Sequence, residues 1–252
     1  MINYILADYK RISTRVPRVI LLVIYQAVFI GYIIYKFNRA AGNFTSVNLV
    51  ETSTYYIGSF MLFILFLADC IQSFSFDFRA KTVQVALGIG ISRLKVVFAK
   101  LVQVALVMLT DLVITLISFG IVSAVLGISL AGHQINYVIS YGFGTFLLAI
   151  CSVTLLMPLI FRVQNMVLTM VGYFLLVPGF ISDIARSLLR LAPTFLQRLQ
   201  LDRYFHDSCC NLIQSNAIQG NFQLWPVIAV IIWFVIGIYL TWLVFRKMEL
   251  DF

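Results

Sequence analysis

Asp69 and Asp111 are the residues best placed to do chemistry, because each lies in or near a long apolar run. An acid at the middle of a membrane span costs about 2.5–3.5 kcal/mol to insert. Asp111 falls near the middle of its run and is therefore expected to face a protein interior or a wet cavity. There it can line a substrate pathway, hold a hinge or carry a proton, or it can be a hydrogen-bonded packing residue between spans. Asp69 lies nearer the end of its run, where basic residues can pair with it. Two acids could also suggest an intramembrane aspartyl dyad. The Gly142-Phe143-Gly144-Thr145 stretch offers GxG, but Thr145 stands where that motif needs its acid.

Other chemistries find less. There is no HExxH, and His133 and His206 stand far apart in expected loops. Gly88-Ile89-Gly90-Ile91-Ser92-Arg93 lacks the lysine and the strand-to-helix context of a phosphate loop. Cys70 and Cys151 lie in or near apolar runs and read as packing residues. Cys209 and Cys210 are neighbours, for which a mutual bridge is strained, and no zinc or iron–sulfur spacing occurs. The chain is expected not to be an enzyme and to bind no cofactor or metal itself.

The elements that position these residues are apolar helices. The 252 residues are 62% hydrophobic and 11% charged, with a mean hydropathy of +0.99. A soluble domain is nearer half apolar and a quarter charged. Continuous apolar runs, each long enough for the roughly 20 residues that cross a bilayer as helix, fall near 19–36, 54–76, 94–123, 137–161, 165–182 and 224–245. Barrel strands would alternate instead. The fold class is all-α, a polytopic membrane protein with about six transmembrane helices, read as a single domain over residues 1–252.

The net charge of +8 fits Lys and Arg facing anionic lipid on the inner side, rather than nucleic acid. With the first residues inside, twelve of the 18 Lys and Arg fall on the inner side and six outside. Both termini are thus expected in the cytoplasm, at the plasma membrane. No cleavable leader is read, so the first span is expected to remain as an anchor. Residues 1–18 place Ile2, Ile5, Leu6, Tyr9, Ile12 and Val16 on one stripe, which predicts an amphipathic helix at the inner surface. The fifth run is interrupted by Pro178-Gly179 and is expected to end early or to be re-entrant. In the outer loop 183–223, Ile184, Leu188, Leu191, Phe195 and Leu199 form a second stripe. Arg186, Arg190, Arg198 and Arg203 lie off it or beyond it as a wet face, Asp183 is placed to cap the helix and Pro193 to bend it.

The densest charge lies between the second and third spans. Asp77, Arg79, Lys81, Arg93, Lys95 and Lys100 punctuate residues 75–100, a basic turn of the kind that stays cytoplasmic. It can serve as a docking surface for a soluble partner, or its bases can merely enforce topology.

Asp77-Phe78-Arg79-Ala80-Lys81-Thr82-Val83-Gln84-Val85-Ala86-Leu87, then Ile91-Ser92-Arg93 and Ala99-Lys100, resembles the pattern between the second and third spans of the permease subunits of type-2 ABC exporters. Asp77 stands where many members have Glu, and Ala80-Lys81 where an Asn-Gly or Lys-Gly pair is frequent. The number of spans, the first amphipathic helix and the irregular segment before the last span extend the likeness over nearly the whole chain. The small size is similar to bacterial permeases for antimicrobial-peptide immunity and export.

The resemblance implies a half-transporter that pairs with a second permease copy, identical or not, and with separate ATP-binding cassette ATPase subunits that hold ATP and Mg. Residues 77–95 would form the coupling loop, with a helix near 81–92 seated in an ATPase cleft. Arg79, Lys81 and Arg93 would orient it by charge, while Val83, Val85, Ala86 and Leu87 plug an apolar groove. The expected activity is ATP-driven export of a hydrophobic or amphipathic substrate such as a peptide, lipid or drug, with Asp111 on the candidate pathway. Two other readings stand beside it: a membrane immunity protein that binds a peptide without pumping it, and an ion-coupled carrier using Asp111.

Overall fold

The computed structural model of the chain describes residues 2–40, 42–79, 82–88, 90–177, 179–191, 200–221 and 223–247. The chain is an all-α, multi-pass membrane protein, 89% helical and without strands among the described residues. Helix α1 covers Ile2–Ser13 and α2 Val16–Arg39. A capping box starts α3 (Ser46–Tyr56): Thr45 Oγ1 accepts from the Asn48 amide, and Asn48 Oδ1 accepts from the Thr45 amide at 3.0 Å. The span therefore begins eight residues before the expected residue 54. It continues through a π-helical stretch, Ile57–Leu65, into α4, Phe66–Arg79.

Short α5 (Thr82–Gly88) leads to α6 (Arg93–Val125), and α7 covers Gly132–Val163. Then come α8 (Met166–Leu176), α9 (Phe180–Leu191), a 3-10 turn at Leu201–Tyr204, α10 (His206–Gln219) and α11 (Leu224–Lys247). Among the described residues, five helical stretches are long and apolar enough to cross a bilayer: α2, Ser46–Ser75, α6, α7 and α11. The irregular fifth run is α8 and α9, bent by 50° at a break and a sixth span only if taken together. Pro178 lies outside the described residues; beside it Gly179 takes the left-handed φ of +78° that such a break requires.

Helix α7 is the one the others pack around. Gly144 lets α10 come close, since a Cβ there would stand 2.6 Å from Cβ of Gln214. Gln214 Nε2 in turn donates to the Tyr141 carbonyl at 3.0 Å. Further along, Pro158 withholds the amide that would bond to the Thr154 carbonyl. Gly237 of α11 packs against that same carbonyl, where a Cβ would sit 2.8 Å from its oxygen. Small residues thus let helices touch through their backbones, as membrane packing favours.

The π stretch is also covered. Amides in such a helix reach back five residues rather than four, as Phe66 does to the Met61 carbonyl, and Tyr173 Oη donates to the next carbonyl, that of Leu62, at 2.9 Å.

Within the region 183–223, the expected helix is α9, and α10 adds a second one further on. Helix α10 is buried against α7 and α11, carrying His206, expected in a loop, at 5% exposure. Cys151, Cys209 and Cys210 form a small apolar cluster with Ala229 and Val230, and all four cysteines are free thiols. Burial pushes the Cys209 thiol up to about 11, which keeps it un-ionised and inert at neutral pH. Asp183 does not cap α9. The helix begins at Phe180, and the Asp183 carboxylate accepts from Arg186 one turn on, at 2.6 Å. Ile184, Leu188 and Leu191 are exposed, as the apolar face of an interfacial helix would be; Pro193, Phe195, Arg198 and Leu199 lie outside the described residues.

Candidate coupling site and its polar spine

The α4–α5–α6 hairpin is short and tied. Two backbone bonds end α5, from Gly90 to the Leu87 carbonyl at 3.0 Å and from Ile91 to the Ala86 carbonyl at 3.1 Å. This is a Schellman closure, and Gly90 supplies its left-handed residue at φ +87°. The helix is thus shorter than the 81–92 expected. Its apolar residues divide between two faces. Val83 (7% exposed) and Ala86 (2%) pack into the chain's own core, and Leu87 leans on it. Val85, 61% exposed, is on the other side. Of the apolar plug read from sequence, Val85 alone projects fully. Arg79 ends α4, and Lys81 lies outside the described residues.

Arg93 is used within the chain. Its Nη1 donates to the carbonyls of Phe245 and Arg246, both at 2.6 Å, and its guanidinium lies over the Phe245 ring. The last carbonyls of a helix lack intrahelical donors, and a cation there also meets the negative end of the helix dipole. The start of α6 is therefore fastened to the end of α11. Phe245 meets Phe161 of α7, ring centroids 5.0 Å apart, and Phe161 meets Phe74 of α4 at 6.0 Å.

From there α6 carries a row of buried polar groups. Lys100, Gln103, Asp111 and Thr115 are each fully buried, and with the Val107 carbonyl they recur at helical spacing, three or four apart or in multiples of four. Lys100 Nζ donates to Gln103 Oε1 at 2.8 Å and pairs with Asp8 of α1. Asp8 also pairs with Arg11 at 2.6 Å. Tyr9 and Thr110 share a hydrogen bond at 2.9 Å. Helix α1 is thus docked along α6 by its polar face, while Ile12 enters the core at 0% exposure.

One turn further, Arg18 gathers three elements. Its Nε donates to Asp69 Oδ1 of α4 at 3.1 Å; its Nη2 donates to Asp111 Oδ1 of α6 and, at 3.3 Å, to the Val107 carbonyl. Gln26 of α2 then donates to Thr115 at 2.9 Å. Asp111 faces the protein interior, and Asp69 has found a basic partner. A fork-shaped guanidinium is suited to this, since it can reach two carboxylates at once. Breaking such a buried set costs more than forming it returns, because each deserted charge stays out of water. The function of the spine is thus positional: it links the start of α6, beside the exposed Val85, to α1, α2, α4 and α11.

The chain also has a second arginine fork. Arg186 of α9 bonds Asp183 at 2.6 Å, Asp207 of α10 at 2.5 Å and Ser208 Oγ at 2.8 Å. With Arg190, Gln200, Asp202 and Arg203 it lines an open cavity of about 350 Å³.

Sequence reasoning found Asp69, Asp111 and the loop, but missed the cluster that joins them. The polar positions 100, 103, 111 and 115 share one face of an otherwise apolar helix, and that periodicity was available to read. Asp8 gave no signal, since on an amphipathic helix its face reads as solvated. No candidate metal-binding group of three or more His, Cys, Asp or Glu occurs among the described residues. In comparisons with known proteins, no family model and no curated protein matches the chain.

Proposed function

We propose that the chain is the permease half of an ATP-binding cassette exporter, in which ATP and Mg are held by a separate ATPase subunit. The observation that carries this is the hairpin. A short helix turns its exposed Val85 outward from the bundle, is closed by a defined backbone stop, and leads within five residues into the helix that holds the polar spine. Force applied at Val85 has a rigid path into the membrane through α6. A second permease copy completes the transporter, and the pathway for a hydrophobic or amphipathic substrate runs between the two. The membrane is the bacterial plasma membrane, with both termini in the cytoplasm. A narrower assignment to antimicrobial-peptide export or immunity rests on the small size of the chain alone.

The test is whether an ATP-binding cassette ATPase subunit co-purifies with the chain from its native membrane, followed by transport in vesicles. Val85→Asp places a charge in the proposed contact and is expected to abolish both ATPase capture and transport while leaving the thermal midpoint of the permease unchanged. Undiminished capture and transport in that variant would sink the coupling assignment.

A further inference from the structure

The Arg18 fork has an imbalance of charge that its setting does not tolerate. Two carboxyl groups, Asp69 and Asp111, are each 0% exposed and face one guanidinium, 2% exposed. If both acids were ionised, the group would carry one uncompensated negative charge away from water. Isolated ions of this kind are not sustained in protein interiors; the group neutralises instead. Among the described residues no further cation is recorded on either acid. Lys100 is matched by Asp8 and lies eleven residues back along α6, about 16 Å at helical rise. The titratable groups that face the pair are Arg18 and Tyr25 from α2, Cys70 beside Asp69 on α4, and Tyr173 from α8. Of these only Arg18 is cationic, and the Tyr173 hydroxyl is spent on the Leu62 carbonyl.

The hydrogen-bond pattern points the same way. Arg18 takes Oδ1 of each acid. Oδ2 of each is buried with no protein partner among the described residues. Because the two Oδ1 atoms sit on neighbouring nitrogens of one guanidinium, the two carboxyls are held side by side. Two ionised carboxylates at that separation repel, whereas one carboxylic acid donates its O–H to its neighbour.

We propose that Asp69 and Asp111 hold one proton between their Oδ2 atoms, so that Arg18, one carboxylate and one carboxylic acid form a neutral triad. The proton supplies the donor that both Oδ2 atoms lack and cancels the excess charge. The triad is then a proton-binding site at the junction of α2, α4 and α6. It stands independently of any docking at Val85.

The test is infrared spectroscopy of the purified full chain in lipid vesicles at neutral pH. The expected spectrum contains the carbonyl stretch of an un-ionised carboxylic acid that shifts in heavy water. That band should shift again when aspartate is supplied with a 13C carboxyl, which assigns it without any substitution. It should disappear in Asp69→Asn and also in Asp111→Asn. Each single variant should keep its thermal midpoint, because the asparagine amide donates to the remaining carboxylate as the acid did. The double variant should lose much of it, since Arg18 is then unpaired. An isotope-sensitive acid band missing from the wild type, or one that survives in both single variants, overturns the proposal.

Discussion

The molecule contains two arginine forks of the same composition and opposite setting. Arg18 bridges Asp69 and Asp111, with side-chain exposures of 3%, 0% and 0%. Arg186 bridges Asp183 and Asp207, with exposures of 26%, 66% and 8%. The first joins residues 51 and 93 positions apart; the second spans 3 and 21. Water can absorb the spare negative charge at Arg186, so that fork needs no extra proton and holds two neighbouring helices, α9 and α10, loosely. At Arg18 the same stoichiometry has to be balanced from within, and three distant elements depend on it. Burial, not composition, decides which fork is structural.

Substitutions can break that contrast, beginning with the strongest. Arg18→Ala leaves two buried acids without their cation and should cost about 3–5 kcal/mol, seen as loss of folded yield or a collapse of the thermal midpoint in detergent. Lys100→Met removes the second buried cation, but Arg11 still holds Asp8. It should cost less, about 1.5–3 kcal/mol as for a hydrogen bond to a charged group, and should release α1 to protease.

A smaller effect should come from pH. Burial lowers the affinity of His206 for a proton below its ordinary value of 6.5. The unfolded chain then binds the proton first, so stability falls as pH drops below about 6.5. Thermal midpoints measured across that range should decline on the acid side, and less so in His206→Gln.

Arg186→Ala should cost about 1 kcal/mol or less, the range of partly exposed pairs. High salt should shrink that difference further, because screening reaches exposed charges and not buried ones. A salt dependence at Arg18 equal to that at Arg186 would erase the distinction between the forks. Smallest of all, Asp183→Ala should fall within about 0.5 kcal/mol of wild type, as surface changes do.

The spans were legible because continuous apolar runs leave few alternatives; α2, α6, α7 and α11 lie within five residues of their expected ends. Helix α10 was not, since its sequence His206–Gln219 is polar and its burial comes from fitting Gln214 against Gly144, a match between residues 70 apart that no local pattern encodes. The loop was visible as charge, but the carbonyls that Arg93 holds were not, because they lie 152 and 153 residues further along the chain. Val83 and Val85 show the same limit. They are equivalent in type, and only the packed structure tells which one faces inward.

The long sequence separations of the polar ties also set a schedule. Arg18 is made before its partners; Asp111 follows 93 residues later, on the order of 5–20 s at ordinary elongation rates. Arg93 waits through a further 153 residues for the carbonyl of Arg246. During those intervals each arginine has to stay at the lipid–water boundary, where a long side chain can reach headgroups, and both stand at the first turns of their helices, where that is possible. Asp111, which arrives deep in its span, finds its cation already waiting. The order of the residues along the chain therefore brings the groups that can tolerate delay into the membrane first.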